Sequence, residues 1–437
     1  MGKTIIPIAA QVDASPGFTA PPPLALYIHI PWCVKKCPYC DFNSHEKREE
    51  LPQAEYINAL IADLESGLPQ IWGRQVSSIF IGGGTPSLFM PEAFDTLLAA
   101  VRARVSLLPD AEITLEANPG TVEARKFDGF RAAGINRISI GIQSFDDDKL
   151  KALGRIHSAD EAKRAIEMAQ QHFDNINLDL MYALPNQSLQ QARMDIETAI
   201  SFGTTHLSAY HLTLEPNTPF HRSPPPLPDD DLSADMQEMI EATLAGAGYQ
   251  HYETSAFAKS NHLPPNPLPK GGGDHGSAAQ DAASMAMAGA ALGRPGSGAD
   301  RRCRHNLNYW NFGDYLGIGA GAHGKLTSHT GVVRETRRKH PREYLQAAAR
   351  NEFALEHRAV TDRELPFEFM MNALRLIDGF PTRLYHERTG LALTGIQSQL
   401  LTARRDGLLT ASREHIAPTL HGQRFLNALL RRFLPDA

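Results

Sequence analysis

The chain has only four cysteines in 437 residues, too few and too unevenly spread for the disulfide framework of a secreted protein. Three of them crowd into Cys33–Cys40, and clustered thiols in a reducing compartment point to a metal centre. No apolar run is long enough to span a bilayer. The opening stretch MGKTIIPIAAQVDASPGFTAPPP has one lysine, a short apolar patch and proline-rich coil, without a signal-peptide core or cleavage site. Residues 1–23 are therefore expected to form a disordered leader, and the expected compartment is the cytoplasm. A formal charge of -6 offers no overall basic field, which argues against nucleic acid as a partner and against an anionic bilayer. GGGTPS alone could pass for a phosphate cradle, but it is not followed by the Lys-Ser/Thr pair of a Walker loop, so a Walker site is not expected.

From Leu24 onward, short apolar strands alternate with amphipathic helical stretches. The strands are LALYIHI, SSIFIGGG, EITLEANP, RISIGIQSF, NINLDLMYALP and HLSAYHLTLEP, with helices expected over 53–67, 91–104, 121–133, 158–172 and 188–202. Parallel neighbours need such crossovers, so the fold class is α/β, a partial (β/α)6 TIM-type barrel over 24–220. An open doubly wound sheet gives the same alternation, and periodicity does not separate the two. Polar residues sit at the strand ends where α/β folds bind ligands: the cysteine loop, GGGTPS, Glu116, Gln143, Asp179 and Glu215.

A helix-and-strand extension follows over 221–259. Residues 260–302 are rich in Gly, Ala, Pro and Ser with few large apolar residues, and read as a mobile insertion. The segment 303–360 opens on CRHNLNYW. Residues 361–437 read as helices around a short strand pair, a winged-helix-like module without a dense basic recognition helix. A packing or partner role suits it better than DNA binding.

Two metal centres suit CVKKCPYCDFN. Cys33, Cys37 and Cys40 can hold three irons of a 4Fe-4S cluster and leave the fourth open. With His45 they can equally make a tetrahedral zinc site. The position of the loop, directly after the first strand of a parallel unit, favours the cluster.

The stretch YIHIPWCVKKCPYCDFNSH resembles the CxxxCxxC loop of the radical S-adenosylmethionine (SAM) superfamily. With GGGTPS, EANPG, GIQSF, LGRIH, LDLMYALP and HNLNYW in order, the chain is similar to the HemN/HemW group from Tyr27 to Phe433, apart from the insertion. That group joins oxygen-independent coproporphyrinogen III oxidases and the HemW heme chaperones. The resemblance implies that Cys33, Cys37 and Cys40 bind a 4Fe-4S cluster whose open iron chelates SAM. It places Tyr27 and Tyr39 at the border of that site, and Gly83, Gly84 and Thr85 at the methionine amino group. It also puts Glu116, Gln143, Arg155 and Asp179 along the SAM pocket, which holds one or two molecules. Taken singly, each of these four residues equally suits a salt bridge at the barrel rim.

The oxidase branch carries a further cysteine where this chain has Phe42, and the stretch before Tyr27 reads as too short and too featureless to match the oxidase N-terminal segment. Both departures favour the chaperone branch, without coproporphyrinogen oxidase activity, over the oxidase. HNLNYW matches the HNxxYW motif associated with heme in that branch, implicating His305, Asn306, Tyr309 and Trp310. His305 can ligate iron or pack as a buried histidine. His206, His211, His251, His323 and Cys303 are rival ligands. The partners this reading implies are heme, heme-acceptor proteins, an electron donor if SAM is cleaved, and a second copy in a homodimer.

Overall fold

The computed structural model describes residues 17, 18, 20–121, 124–259 and 300–435. Most of the expected leader and of the 260–302 insertion lies outside these residues. Twelve strands form one sheet: β1 (Leu24–Ile30), β2 (Gln75–Gly83), β3 (Ser106–Ala117), β4 (Arg137–Gln143), β5 (Ile176–Tyr182), β6 (His206–His211), β7 (Tyr249–Glu253), β8 (Ala256–Lys259), β9 (Asp314–Ile318), β10 (His323–Ser328), β11 (Gly331–Arg337) and β12 (Ala354–Val360). Their order is β12-β11-β10-β9-β1-β2-β3-β4-β5-β6-β8-β7.

The six anticipated strands run parallel in sequence order. A seventh, β9, pairs parallel on the free side of β1. Residues 303–360, read from sequence as a segment of their own, thus extend the same sheet through β9–β12. Strand periodicity signals that a strand exists, not which edge it joins, so this addition left no local trace.

Alternation along the strands sets the two faces. Ile28, Ile81, Leu115, Ile140, Leu178 and Leu207 are buried in the main core under the helices. Their neighbours Ser78, Thr114, Arg137, Ser139, Asn177, Asp179, His206 and Ser208 line the other face, in register across adjacent strands. The helices start where the sequence supplies caps. Ser158 accepts from the Glu161 backbone N–H at 3.3 Å, while the Glu161 carboxylate accepts from the Ser158 N–H at 2.7 Å. The helix so begun, Ala159–Gln170, lays Ala162, Ala165, Ile166 and Ala169 on the sheet.

The helix Arg304–Trp310 packs inside the concave face. His305 approaches Ser78 on β2, and Cys303, just before it, accepts no cap but donates its N–H to the Tyr252 hydroxyl on β7 (3.1 Å). Strands β2 and β7 are far apart in sheet order, so the sheet curls around this helix. The C-terminal helices Leu365–Ala373, Thr382–Thr389 and Gln397–Arg405 surround a strand pair, Phe380–Pro381 with His415–Ile416, over a second core of Phe369, Phe380, Tyr385 and Leu400. This module docks through Arg424, whose guanidinium pairs with Glu241 at 2.8 Å.

Asp63 ties the added strands to the barrel. Fully buried on the helix Gln53–Ile71, it accepts from Arg337 Nε (2.8 Å), the Gly319 N–H (3.0 Å) and the Tyr344 hydroxyl (2.9 Å). Removing one partner of a buried ion pair strands the other charge. Asp63→Ala is expected to cost about 3–5 kcal/mol, read as a lower urea midpoint, whereas Gln70→Ala on the same helix changes it little.

Candidate functional site

The cysteine loop is pinned at both ends. Trp32–Cys33 pairs with His45–Glu46 as a short parallel ladder. Lys36 Nζ donates to the Phe42 and Ser44 carbonyls at 3.0 and 3.3 Å, and its N–H donates to the Glu46 carboxylate at 2.9 Å. Asn43 Nδ2 donates to the carbonyls of Ala320 (2.9 Å) and Lys339 (2.8 Å), carrying the hold across to the strands added after residue 303. His29 sits 2.8 Å from the Asn43 carbonyl through Nε2 and 2.9 Å from the Tyr27 hydroxyl through Nδ1. The tautomer with hydrogen on Nε2 satisfies both contacts.

Cys33, Cys37 and Cys40 line one cavity of about 400 Å³, together with Tyr39, Gly83, Gly84, Thr85, Glu116, Gln143, Arg155, Asp179 and Glu215. Each strand end singled out from the barrel rim therefore contributes to the wall that the cysteines share. Tyr27 is not on its wall; it stacks on Phe80 and reaches the loop through His29. His45 is not on the wall either, and its ring packs against His340, 5.2 Å between centroids. Among the described residues no three His, Cys, Asp or Glu side chains converge as a single metal ion requires. A tetrahedral ion needs its ligands about 2 Å from one point, so the Cys₃His arrangement is not the geometry here.

Close packing explains the glycine run. A Cβ on Gly84 would lie 2.6 Å from the Trp32 carbonyl oxygen, and one on Gly83, at φ +115°, 2.5 Å from the His29 ring. The strand end is thus pressed against β1 at the base of the loop. On β4 the register shifts between Gly141 and Gln143, and Gln143 takes a left-handed φ of 67°. Such backbone strain concentrates at ligand sites.

The charges are arranged in layers. Arg155 donates to the Gly141 carbonyl at 2.8 Å and stands 3.7 Å from Cys37 Sγ, with its Nε buried and unpartnered. Deeper in, Glu116 accepts the Gly83 N–H at 3.0 Å. Burial, and then the Asp179 charge, push its carboxyl up to about 7. Burial also raises Asp179, against the hydrogen bonds it accepts from Ser139 Oγ (2.7 Å) and Asn177 Nδ2 (2.8 Å). Burial raises the Cys33 and Cys40 thiols as well. Three thiols, a guanidinium with a spare donor, and two confined acids suit a ligand that carries a carboxylate at one end and hydroxyls or positive charge at the other. That donor set fits an iron–sulfur cluster with SAM.

Ser139, Asn177 and Tyr210 escaped notice in the sequence. Ser139 and Asn177 fix Asp179, and Tyr210 lines the cavity across from it. Asn177 had a usable signal, two residues before Asp179 on the same strand; the place of Tyr210, paired with Met181 on the neighbouring strand, shows only through the register.

The four HNxxYW residues lie apart from this cavity. His305 is 1% exposed, stacked on Phe80 (5.1 Å) and edge-on to Tyr309 (4.7 Å). Burial draws its pKa down to about 3; Nδ1 meets Ser78 Oγ at 3.2 Å and Nε2 has no partner. Asn306 is half-buried, and Trp310 lies under the Arg375 guanidinium at 5.0 Å. Of the rival ligands, His206 has both nitrogens engaged, by Asn177 (2.6 Å) and Tyr252 (2.8 Å). His251 stacks on Phe257, and His211 sits edge-on to Tyr182. His323 is exposed. Cys303 is buried 3.5 Å from Glu112, its thiol pushed up to about 12.

Residues 27–199 match the radical SAM superfamily model, and residues 360–425 match the HemN C-terminal domain. The chain is 46% identical to the heme chaperone HemW of Escherichia coli over 95% of its own length and 99% of that protein. It is 45% identical to heme chaperone HemW of Haemophilus influenzae over the same shares. The chain belongs to the HemW family. The solved structure of E. coli coproporphyrinogen III oxidase (HemN), described as a radical SAM enzyme, superposes with a TM-score of 0.73 over 94% of this chain and 90% of that one. At 22% identity that likeness shows a shared fold. No helix among the described residues of this HemW-family chain is long and apolar enough to cross a membrane.

The elevated Glu116 pKa gives a signed expectation. The folded chain holds this proton up to about 7 against an ordinary 4.5, so its contribution favours the fold at low pH and is lost as pH rises between those values. The stability difference between Glu116→Gln and the native chain, from urea titrations, should shift in favour of the variant across that window. A constant difference would contradict the assignment.

Proposed function

We propose that this chain is a heme chaperone that binds heme and a SAM-coordinated 4Fe-4S cluster and transfers heme to acceptor proteins. The observation that carries it is the single cavity shared by Cys33, Cys37, Cys40 and the buried acids Glu116 and Asp179. The HemW relatives, by their names, support the heme part of the reading. The cluster, when bound, supplies a one-electron store and an open iron for the amino and carboxylate groups of SAM.

The protein's own residues do the rest. Arg155, fixed by Gly141, offers its free Nε–H to a carboxylate and its charge to the Cys37 sulfur. Gly83 and Gly84 let backbone approach the ligand without an intervening Cβ. Glu116 and Asp179 are placed to accept from ribose hydroxyls or an ammonium, which would draw their raised pKa values back down. Phe42, 60% exposed at the cavity wall, stands where the oxidase branch has a cysteine. His305, Asn306, Tyr309 and Trp310 are assigned to heme by their motif, and the unpartnered Nε2 of His305 supports that assignment. Use of this nitrogen on iron requires the helix Arg304–Trp310 to leave its place against Phe80.

Anaerobic reconstitution, followed by heme titration and a coproporphyrinogen assay side by side, tests the proposal. Stoichiometric growth of the Soret band without conversion is expected; robust conversion to protoporphyrinogen would establish the oxidase instead. Cys37→Ala should abolish the visible absorption of the cluster and leave heme uptake measurable. His305→Ala should weaken heme uptake and retain the cluster, and unchanged heme affinity would remove that residue from the site.

A further inference from the structure

Behind the cavity wall a hydrogen-bonded chain runs through the barrel and ends on Asp179. Asn177 Nδ2 donates to Asp179 Oδ1 (2.8 Å) and to Ser139 Oγ (2.7 Å), and Ser139 Oγ donates to Asp179 Oδ2 (2.7 Å). The other end of that amide, Asn177 Oδ1, faces His206 Nδ1 at 2.6 Å and accepts from Ser208 Oγ at 3.0 Å. His206 Nε2 lies 2.8 Å from the Tyr252 hydroxyl, which accepts the Cys303 backbone N–H at 3.1 Å. Asn177, His206 and Tyr252 are all buried. Burial, and then the Arg137 charge, hold His206 well below the ordinary histidine range, so the ring is neutral and carries one hydrogen.

The two ends of the chain fix its direction. The Cys303 N–H can only donate; were the Tyr252 oxygen to accept from His206 as well, its own buried hydrogen would lack a partner. An ionised carboxylate, at the other end, can only accept. Hydrogen on His206 Nδ1 satisfies both ends. The reverse tautomer would turn the Asn177 carbonyl toward Asp179, oxygen against oxygen.

We infer that His206 is a positioning residue for the SAM pocket: it locks the Asn177 amide with its N–H groups toward Asp179, and so keeps that carboxylate an acceptor for the hydroxyls of the ligand. The inference rests on the pocket reading made under Proposed function. The charged and titratable groups that face Asp179 are Glu116 on β3, Arg137 on β4 and Tyr210 on β6. Asp179 accepts from Ser139 and Asn177, with the Arg137 charge nearby, whereas Glu116 accepts one N–H, from Gly83. Of the two acids, Asp179 is therefore the one built to be ionised, and Glu116 the one that holds a proton.

The test uses the full chain, reconstituted anaerobically, with SAM binding read by calorimetry across a pH series. An asparagine side chain reaches the place of Nδ1 and a glutamine side chain that of Nε2, so the two variants separate the two contacts. His206→Gln, which loses the contact to Asn177, should weaken SAM binding by about tenfold or more and move the acid limb of the affinity profile to higher pH, because Asp179 is then protonated more readily. His206→Asn, which keeps that contact, should stay within about threefold of native with the limb in place. A second measurement needs neither cluster nor SAM. In the native chain isotopically labelled at the histidine ring nitrogens, the magnetic resonance signals that vanish in His206→Asn should show hydrogen on Nδ1 and none on Nε2. Hydrogen on Nε2, unchanged SAM affinity in His206→Gln, or a loss equal at every pH would overturn the positioning role and leave the SAM pocket standing. A native chain that gains the cluster and binds no SAM would overturn the pocket reading and this inference together.

Discussion

A parallel sheet covered by helices on one side must do something with its other side, and here that side is polar. Alternate residues of β2–β6 place hydroxyls, amides, the acids Glu112, Glu116 and Asp179 and a guanidinium on the concave face, in register from strand to strand. Groups so enclosed need partners or ligands, because an unmet buried charge or hydrogen bond is costly. The molecule meets that demand differently at the two ends of the strands.

At the floor the chain fills the space with itself. The helix Arg304–Trp310 slots against Ser78, Phe80 and Tyr252, and the acid Glu112 faces the Cys303 thiol and the His305 backbone N–H. At the rim no helix among the described residues fills the space. There the strand ends, opened by glycines and a left-handed Gln143, meet the cysteine loop around a cavity. The loop is held by two supports: His29 on β1, and the carbonyls of Ala320 and Lys339 from the strands beyond residue 303. Residues distant in the chain thereby set the position of the three cysteines.

Much of this is written locally in the sequence. The six strand–helix units, the capping boxes and the cysteine loop are short-range patterns, and the residues at strand ends fall on one rim because parallel strands must end on the same side. What stayed hidden depends on long-range pairing. The position of β9 beside β1 is one such case. Another is the partner of His305: its burial was one of two readings open from the sequence, but its aromatic neighbours Tyr309 and Trp310 gave no sign that Phe80 on β2 would cover its other side. The support of Asp179 by Ser139 shows a third: the hydroxyl sits on a different strand, and only register brings them to 2.7 Å.

The hairpin β7–β8 gives the chain its exit and its return. The backbone leaves the sheet after Lys259 on β8 and comes back at Cys303, anchored to Tyr252 on β7 of that same hairpin. Closing a loop between points on one supersecondary unit costs only about (3/2)RT ln n, so each doubling of its length adds about 0.6 kcal/mol. A flexible segment grafted between these two points therefore costs the barrel little whatever its length, which makes this junction a natural seat for a reporter or a linker.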